Sequence, residues 1–343
     1  MAFISFKPSD FFNTKLYTGN ASTNAITGVG FQPDSVVTKS RNATYDWMQY
    51  DSVRGATKEI RWNGNWSEAT GANLLQSFDS DGFTLGSTDT SNNSGTTFVS
   101  YNWKMGTTSG LSGGSITPLN YSINTTAKMS VIRYTGNSTS GATVPHGLGV
   151  KPASMWVKKV TGGADSWAIY NKSMTATSYL ELDVANGIAS NAGRWNNTEP
   201  TTSVFSLGDS STTNGNNNNY IAYIFAEVPG FSKFASFKGN ANNDGPFIYT
   251  GFAPAMIIIK STGSSENWHM YDNKRSTFNV RDKTLDPDQT SAESTLSGID
   301  FLSNGFKMKT SATWGNGSGV NITYYAFAQQ PIVGTNDTPG VAQ

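Results

Sequence analysis

The sequence has no cysteine, only two histidines and few charged residues. Only 14% of its 343 residues are Asp, Glu, Lys or Arg, whereas soluble domains average about 25%. The absence of cysteine excludes disulfide scaffolds, Cys-based zinc sites and thiol nucleophiles. The 24 basic and 24 acidic residues balance, and no basic block occurs. Nucleic acid is therefore not an expected partner.

Long hydrophobic runs are also missing. The longest, 255–259 and 220–226, fall well short of the roughly 20 residues of a membrane-spanning helix, so membrane insertion is not expected. The start, MAFISFKPSD, lacks the cationic and apolar regions of a signal peptide. The chain is nevertheless 36% hydrophobic and 12% aromatic. That content can form a core, so disorder is not expected either.

Three segments of the chain repeat one pattern, which indicates tandem structural units. Repeat 1 contains YTGN (17–20), GFQPDSVVTK (30–39) and WMQY (47–50). Repeat 2 contains YTGN (134–137), GVKPASMWVK (149–158) and WAIY (167–170). Repeat 3 contains FKGN (237–240), GFAPAMIIIK (251–260) and WHMY (268–271).

Aromatic residues recur at matching positions of the three repeats. Constant spacing is what packing requires, and Trp buries a large area, so we predict a core role for these residues rather than sugar stacking. The predicted core set is Trp47, Trp167, Trp268, Tyr50, Tyr170, Tyr271, Tyr101, Tyr223 and Tyr325.

Short strand-like segments separated by turns dominate the chain, and no sustained helical stripe occurs. We predict an all-β protein of three tandem β-sandwich repeats, lectin-like or jelly-roll-like. The predicted boundaries are 1–105 for repeat 1, 106–127 for a Gly/Ser/Thr-rich linker, 128–228 for repeat 2, 229–332 for repeat 3 and 333–343 for a tail. A row and a pseudo-threefold arrangement both remain open. The long linker suggests that repeat 1 is more loosely tethered than the other two.

Four further tryptophans lie among turn-forming residues outside the repeat pattern. Such loop aromatics, flanked by Asn and Arg, suit sugar stacking, a subunit interface or local packing. The candidate binding residues are Trp62, Trp66, Trp195 and Trp314, with Arg61 and Arg194.

The remaining polar features predict no catalytic residue, metal or cofactor. His146 and His269 lack partners at metal or triad spacing, and the run from Asp79 to Gly82 lacks most of a calcium loop. Lys39, Lys158 and Lys260 each end an apolar strand, and outward lysines guarding strand edges explain them more simply than a binding site. The first twelve residues are either a docking arm or a first edge strand.

The run YTGN, ITGVGFQPDSVVTKSR and YDSVRGATKEIRWN, with SFDSDGF and YYAFA, resembles a repeat in structural proteins of marine bacteriophages, including those of cyanobacteria. That phage repeat is a tail-fibre-like domain of unknown function. The resemblance covers about residues 5–330, and the family has no catalytic residues to transfer.

The resemblance implies a non-enzymatic virion protein on the particle's exterior, made in the host cytoplasm. The leading hypothesis is a tail-associated fibre, spike or tip protein that contacts the host surface, with host glycan as a candidate receptor. The alternative is a capsid decoration or head-fibre protein bound to the major capsid protein, and a polysaccharide depolymerase is the minor reading. Other virion proteins are the expected partners, and a homo-oligomer, a trimer for a fibre, is expected.

Overall fold

The protein is all-β, as predicted. The computed structural model describes residues 6–331, whose strands pair antiparallel. The described helical segments are single turns, a 3-10 turn at Pro8–Asp10 and α1 (Asp89–Asn92), α2 (Ala192–Trp195), α3 (Ser211–Asn214) and α4 (Thr313–Asn316). The predicted tail, 333–343, lies outside the described residues. Phe6 packs against Phe11 and Phe231, so the described part of the N-terminal segment lies against repeat 3.

Repeat 1 forms a larger and a smaller sheet. Its strands are β1 (Phe12–Thr18), β2 (Asn24–Thr27), β3 (Ser35–Ser40), β4 (Met48–Asp51), β5 (Lys58–Arg61), β6 (Ala69–Thr70), β7 (Leu75–Asp79), β8 (Gly82–Leu85) and β9 (Thr97–Trp103). The larger sheet has the order β1-β9-β3-β4-β5-β6 and the smaller one β2-β8-β7.

Repeat 2 is preceded by one additional strand, which lies in the predicted linker. The strands are β10 (Asn120–Asn124), β11 (Met129–Thr135), β12 (Ala142–Pro145), β13 (Ser154–Lys159), β14 (Ala168–Asn171), β15 (Ser178–Tyr179), β16 (Ala189–Ser190), β17 (Val204–Leu207) and β18 (Asn219–Phe225). The larger sheet is β10-β11-β18-β13-β14, and β12-β17 and β15-β16 form two-stranded sheets. The linker thus contributes an edge strand to repeat 2.

Repeat 3 follows the same plan with longer strands. They are β19 (Ser232–Lys238), β20 (Phe247–Tyr249), β21 (Phe252–Ser261), β22 (His269–Asp272), β23 (Arg281–Thr284), β24 (Ser294–Leu302), β25 (Gly305–Met308) and β26 (Asn321–Pro331). The two sheets have the orders β19-β26-β21-β22 and β20-β25-β24-β23.

The larger sheets are buried on both faces. On β3, Val36 belongs to a hydrophobic cluster that repeat 1 forms between its own two sheets, and repeats 2 and 3 have equivalent clusters. Val37, the next residue, belongs to a fourth cluster that contains residues of all three repeats. Because successive strand residues point to opposite faces, one face serves the repeat and the other serves the whole chain.

Three indole hydrogen bonds connect the repeats in a closed ring. Trp47 Nε1 of repeat 1 donates to Asp286 O of repeat 3 at 2.9 Å. Trp167 Nε1 of repeat 2 donates to Arg61 O of repeat 1 at 2.7 Å. Trp268 Nε1 of repeat 3 donates to Glu181 O of repeat 2 at 2.9 Å. All three are fully buried, in the core role predicted for them. The contacts run in one direction around a pseudo-threefold axis.

Backbone hydrogen bonds close the same ring in the opposite direction. Glu68 N donates to Val160 O at 3.1 Å, Ile188 N donates to Thr262 O at 3.0 Å, and Glu293 N donates to Arg41 O at 2.7 Å. The acceptor residues each lie two positions after the repeated lysine. Repeat 1 therefore contacts both other repeats, and the expectation that it is loosely tethered is wrong.

Candidate functional site

A buried Tyr–Asp–Arg cluster joins repeat 1 to repeat 3. The Tyr101 hydroxyl donates to Asp272 Oδ2 at 2.7 Å, and Arg275 Nε donates to the same oxygen at 2.5 Å. Burial raises the pKa of the Asp272 carboxyl, but the charge of Arg275 and the hydrogen bonds from Arg275 and Tyr101 together outweigh burial and hold that pKa below its usual range. The carboxylate is thus ionised, and the hydroxyl makes a charge-assisted hydrogen bond.

Repeats 2 and 1 share an equivalent cluster. The Tyr223 hydroxyl donates to Asp51 Oδ2 at 2.6 Å, and Arg54 Nε donates to that oxygen at 2.5 Å. Asp51 and Arg54 have fully buried side chains, as do their counterparts Asp272 and Arg275. Burial and the neighbouring Asp51 raise the pKa of Tyr223 well above its ordinary value, so its hydroxyl stays protonated and donates.

The third junction, between repeats 3 and 2, lacks both charges. Asn171 stands at the Asp position and Met174 at the Arg position. Asn171 and Thr323 lie beside the Tyr325 hydroxyl, but no hydrogen bond of normal geometry reaches it within residues 6–331. The ring therefore has two charged junctions and one neutral junction.

The three repeated lysines are buried, so the prediction of outward lysines is wrong. Lys39 Nζ donates to Thr290 O of repeat 3 at 3.0 Å, and Lys260 Nζ donates to Ala185 O of repeat 2 at 2.7 Å. Lys158 Nζ donates within its own repeat. Burial lowers the pKa of Lys39 to about 7 and those of Lys158 and Lys260 to about 8. These amines bind backbone carbonyls instead of guarding an edge.

Three of the four predicted binding tryptophans are buried. Trp62 stacks on Trp47 at 5.4 Å between ring centres and lies edge-on to Trp156 of repeat 2. Trp195 packs in the cluster of repeat 2. Trp314, in α4, lies 4.4 Å from the His269 ring. These three cannot act as sugar platforms, because neighbouring side chains already cover their rings.

The two candidate arginines occupy different surroundings. Arg194 is buried, with its guanidinium 4.5 Å from the Tyr179 ring centre and 3.3 Å from Glu181 Oε1. Arg61 is partly exposed and lies 5.1 Å from the ring centre of Trp66. Arg194 is therefore unavailable to a ligand, whereas Arg61 lies at a candidate surface.

Trp66 is the one candidate tryptophan that faces solvent, with 52% of its surface exposed. Arg61 is held beside it by ion pairs to Asp46 at 2.7 Å and Glu59 at 3.0 Å. The same loop touches repeat 2, where Asp165 N donates to Asn65 O at 2.9 Å. Glu59 is buried, so the groups available beside the exposed ring are the fixed Arg61 guanidinium and the Asp46 carboxylate. Such a surface can bind the apolar face and the hydroxyls of a sugar.

A second exposed aromatic surface lies on repeat 3. Phe247 and Tyr249, on β20, are 47% and 54% exposed, and Phe278, before β23, is 78% exposed. Lys233 Nζ lies 5.7 Å from the Tyr249 ring centre. The equivalents of Phe247 in repeats 1 and 2 are Ala25 and Thr143, so this surface breaks the threefold pattern. The aromatic residues of this surface do not recur in the other repeats, so the repeat pattern of the sequence does not reveal it.

Histidines and acidic pairs have structural partners. Burial lowers the pKa of His146 to about 4, and His269 Nδ1 lies 2.9 Å from Asp286 Oδ1. Asp81 accepts from Gly28 N and Gly30 N, which explains the calcium-like fragment as a turn. Within residues 6–331, no group of three or more metal-ligating side chains is placed to hold a metal ion.

The Tyr–Asp–Arg clusters were missed at the sequence level, although a signal was present. Repeats 1 and 3 contain YDSVR (50–54) and YDNKR (271–275), whereas repeat 2 contains YNKSM (170–174). Asp and Arg are thus present together or absent together. That joint presence indicates a mutual contact, and only the structure shows that the third partner comes from another repeat.

The fold and surfaces define an all-β protein whose three sequence repeats share a core and carry two exposed aromatic surfaces. The chain belongs to the family described as Domain of unknown function (DUF7483), whose model matches residues 7–331. No curated protein and no solved structure matches the chain. None of the helices described within 6–331 has the length and apolar character needed to span a membrane.

Proposed function

We propose that the protein is a non-enzymatic structural protein on the exterior of a bacteriophage virion, in a tail-associated fibre, spike or tip that contacts the host surface. The observation that supports this proposal most directly is the closed ring of Trp47, Trp167 and Trp268 contacts. A ring of this kind joins the three repeats of one chain through buried contacts. Repeated β-structure joined in this way suits an appendage that must hold its shape outside the cell.

The chemistry of the buried ionisable groups supports a structural role. The Asp–Arg pairs at Asp51 and Asp272 accept hydroxyl hydrogen bonds from another repeat. Lys39 and Lys260 donate to carbonyls of another repeat. Their unusual environments are thus explained by holding the ring together, without assigning them a reaction.

The host contact is proposed at Trp66, with a surface polysaccharide as the ligand. The ring would stack on a sugar face while Arg61 and Asp46 bind its hydroxyls, and the buried Glu59 would hold Arg61 in place. The low charge of the chain, 14%, is compatible with a neutral ligand.

Titration of purified protein with host-envelope polysaccharide tests this contact. Trp66→Ala should abolish binding while leaving the folded state intact, because its ring is half exposed. Phe278→Ala, which removes an exposed ring from repeat 3, is the matched control and should bind normally. Unchanged binding by Trp66→Ala would show that the sugar site is wrong, and shortening of the polysaccharide would point to a depolymerase.

Capsid decoration is the second candidate, and the pseudo-threefold ring favours it. A chain with three equivalent repeats matches the symmetry of a threefold position in a capsid lattice, where its partner would be the major capsid protein. Labelled antibody against the protein separates the two locations on the virion. Label confined to the head would refute the tail assignment, and label at the tail tip would refute capsid decoration.

The oligomeric state is part of the same proposal. A trimer is expected for a fibre, whereas a monomer suffices at a threefold lattice position because one chain already contains three repeats. Light scattering on the purified protein measures the mass directly. A mass near 36.8 kDa, that of one chain, would argue against the trimer.

A further inference from the structure

Strand β20 ends the smaller sheet of repeat 3, and within residues 6–331 no strand pairs with its other side. Met308 N donates to Pro246 O at 3.1 Å, and Thr250 N donates to Asn304 O at 3.1 Å. In an antiparallel pair, hydrogen-bonded and non-hydrogen-bonded positions alternate. The backbone groups of Phe247 and Tyr249 therefore point away from β25, while Ile248 faces the core opposite Phe306.

The equivalent edge in repeat 2 is covered by a segment of the chain itself. Ser115 N and Ile116 N both donate to Thr143 O, at 3.0 and 2.9 Å. Thr143 N in turn donates to Ser115 Oγ at 2.8 Å. Ile116 is buried in the cluster of repeat 2, and Leu111 packs against that cluster. In repeat 2, an extended segment with aliphatic residues thus occupies the edge of β12. The equivalent edge in repeat 3 is that of β20, which is open.

Phe247 and Tyr249 add an aromatic surface to the open edge. Repeat 1 has Ala25 and Thr27 at these positions, whereas repeat 2 has Thr143 and Pro145. An exposed, unpaired edge with large apolar side chains promotes association with other chains, and natural proteins usually blunt such edges. Although β20 has only three residues and follows Pro246, Phe247 and Tyr249 still expose large apolar surface on this edge, which favours a docking role.

We propose that β20 is a docking edge for an extended aliphatic segment of a partner protein, which adds to the sheet as a further strand. The backbone groups of Phe247 and Tyr249 would pair with the segment, and their rings would cover its aliphatic side chains. The occupied edge of repeat 2 is the internal example of the backbone contact at the position of Phe247, and there the aliphatic Ile116 packs into the core cluster of the repeat. The docking edge lies in a different repeat from Trp66, so it and the sugar contact can be refuted independently.

A synthetic peptide that copies residues 110–118 of the chain, GLSGGSITP, is the probe. It is titrated into the full-length labelled protein in the millimolar range and followed by backbone amide NMR. Saturable shifts are expected at Phe247 and Tyr249. The same peptide with proline in place of Ser115 and Ile116 cannot donate the two hydrogen bonds and should cause no saturable shift.

Phe247→Pro is the decisive variant. It removes the outward N–H at the position where Thr143 N of repeat 2 donates to Ser115 Oγ, whereas Pro145, at the position of Tyr249, has no N–H to donate. It should abolish the peptide-induced shifts at Tyr249 while the Ile248 and Phe306 signals stay native. Ala25→Pro makes the same change on the edge of repeat 1 and should leave the shifts unchanged. If Phe247→Pro does not fold, the double variant Phe247→Ala and Tyr249→Thr copies repeat 1 and should weaken peptide binding at least several-fold.

Three results would overturn the proposal. The first is the absence of saturable shifts at β20, or equal shifts at Ala25 in repeat 1. The second is dimerisation of the protein that Phe247→Pro abolishes, which would identify a second copy as the occupant. The third is loss of polysaccharide binding in Phe247→Pro, which would make this surface a sugar site.

Discussion

The three junction tyrosines offer a prediction with its control built into the chain. Tyr101, Tyr223 and Tyr325 occupy equivalent positions on β9, β18 and β26, and all three are buried. Replacement by Phe removes one oxygen atom from each, so the change in packing is nearly the same. The hydrogen bonds differ. The hydroxyls of Tyr101 and Tyr223 donate to a buried carboxylate, whereas that of Tyr325 has no partner at normal geometry among the described residues, 6–331.

The expected magnitudes follow from that difference. A hydrogen bond to a charged group contributes about 1.5–3 kcal/mol, so Tyr101→Phe and Tyr223→Phe should each lower the free energy of unfolding by about that amount. A buried hydroxyl without a partner costs about 1–3 kcal/mol, so Tyr325→Phe should be neutral or stabilising. The two kinds of variant should therefore differ by roughly 2 kcal/mol or more.

Urea denaturation followed by tryptophan fluorescence measures the difference. The slope of the unfolding free energy against urea should be the same in all three variants, because the buried surface hardly changes. A Tyr325→Phe variant as destabilised as Tyr101→Phe would refute the reasoning, since it would show that the carboxylate contact contributes nothing beyond packing. Equal, small effects in all three would refute it as well.

Three further predictions concern the same junctions. Asn171→Asp alone should destabilise the protein by about 3–5 kcal/mol because it buries an unpaired charge, and adding Met174→Arg should recover most of that loss in the same urea assay. Lys39 has a pKa near 7 when folded and about 10.4 when unfolded. The unfolded state therefore binds more protons between these pH values, and stability should rise with pH by about 1.4 kcal/mol per unit for this residue, a slope that Lys39→Met removes. Trp47→Phe should lower the free energy of unfolding by about 2–4 kcal/mol, since it leaves a cavity and an unpaired carbonyl at the ring contact.

The sequence alone was sufficient for the all-β class and for which repeated aromatics are buried. Period-two alternation reveals single strands, and constant spacing reveals equivalent positions of the repeats. Neither signal requires knowledge of which repeats lie next to one another in the fold. Trp62 shows where that information ends. Its local context, RWNGNW, is that of a loop, but Trp156 of repeat 2 covers its ring. Burial that another repeat supplies cannot be inferred from the residues around the buried one.

The prediction that the repeated lysines face outward was wrong for a related reason. A charge at the end of an apolar strand ordinarily faces solvent. Here the adjacent repeat closes over Lys39 and Lys260 and presents backbone carbonyls to the amines. Two of the three recurring lysines thus contact another repeat, whereas Lys158 donates within its own. The repetition was visible in the sequence, but the partner was not.

The neutral junction lies where the chain itself already holds the repeats together. Repeats 2 and 3 are joined by the short segment 227–233, and their junction has Asn171 and Met174. Repeats 1 and 2 are separated by the long segment 106–127, and their junction has the Asp51–Arg54 pair. Repeats 3 and 1 share no direct connection, and their junction has the Asp272–Arg275 pair.

A short connection lowers the entropy cost of bringing two repeats together, because the loop that must close is small. The contact between repeats 2 and 3 therefore needs less from specific hydrogen bonds than the other two contacts do. The junction between repeats 3 and 1 closes the ring without any connecting segment, so orientation there depends on noncovalent contacts alone. A hydrogen bond from a hydroxyl to a carboxylate is both strong and directional. The structure has one such bond at each of the two junctions where the chain connection constrains the repeats least.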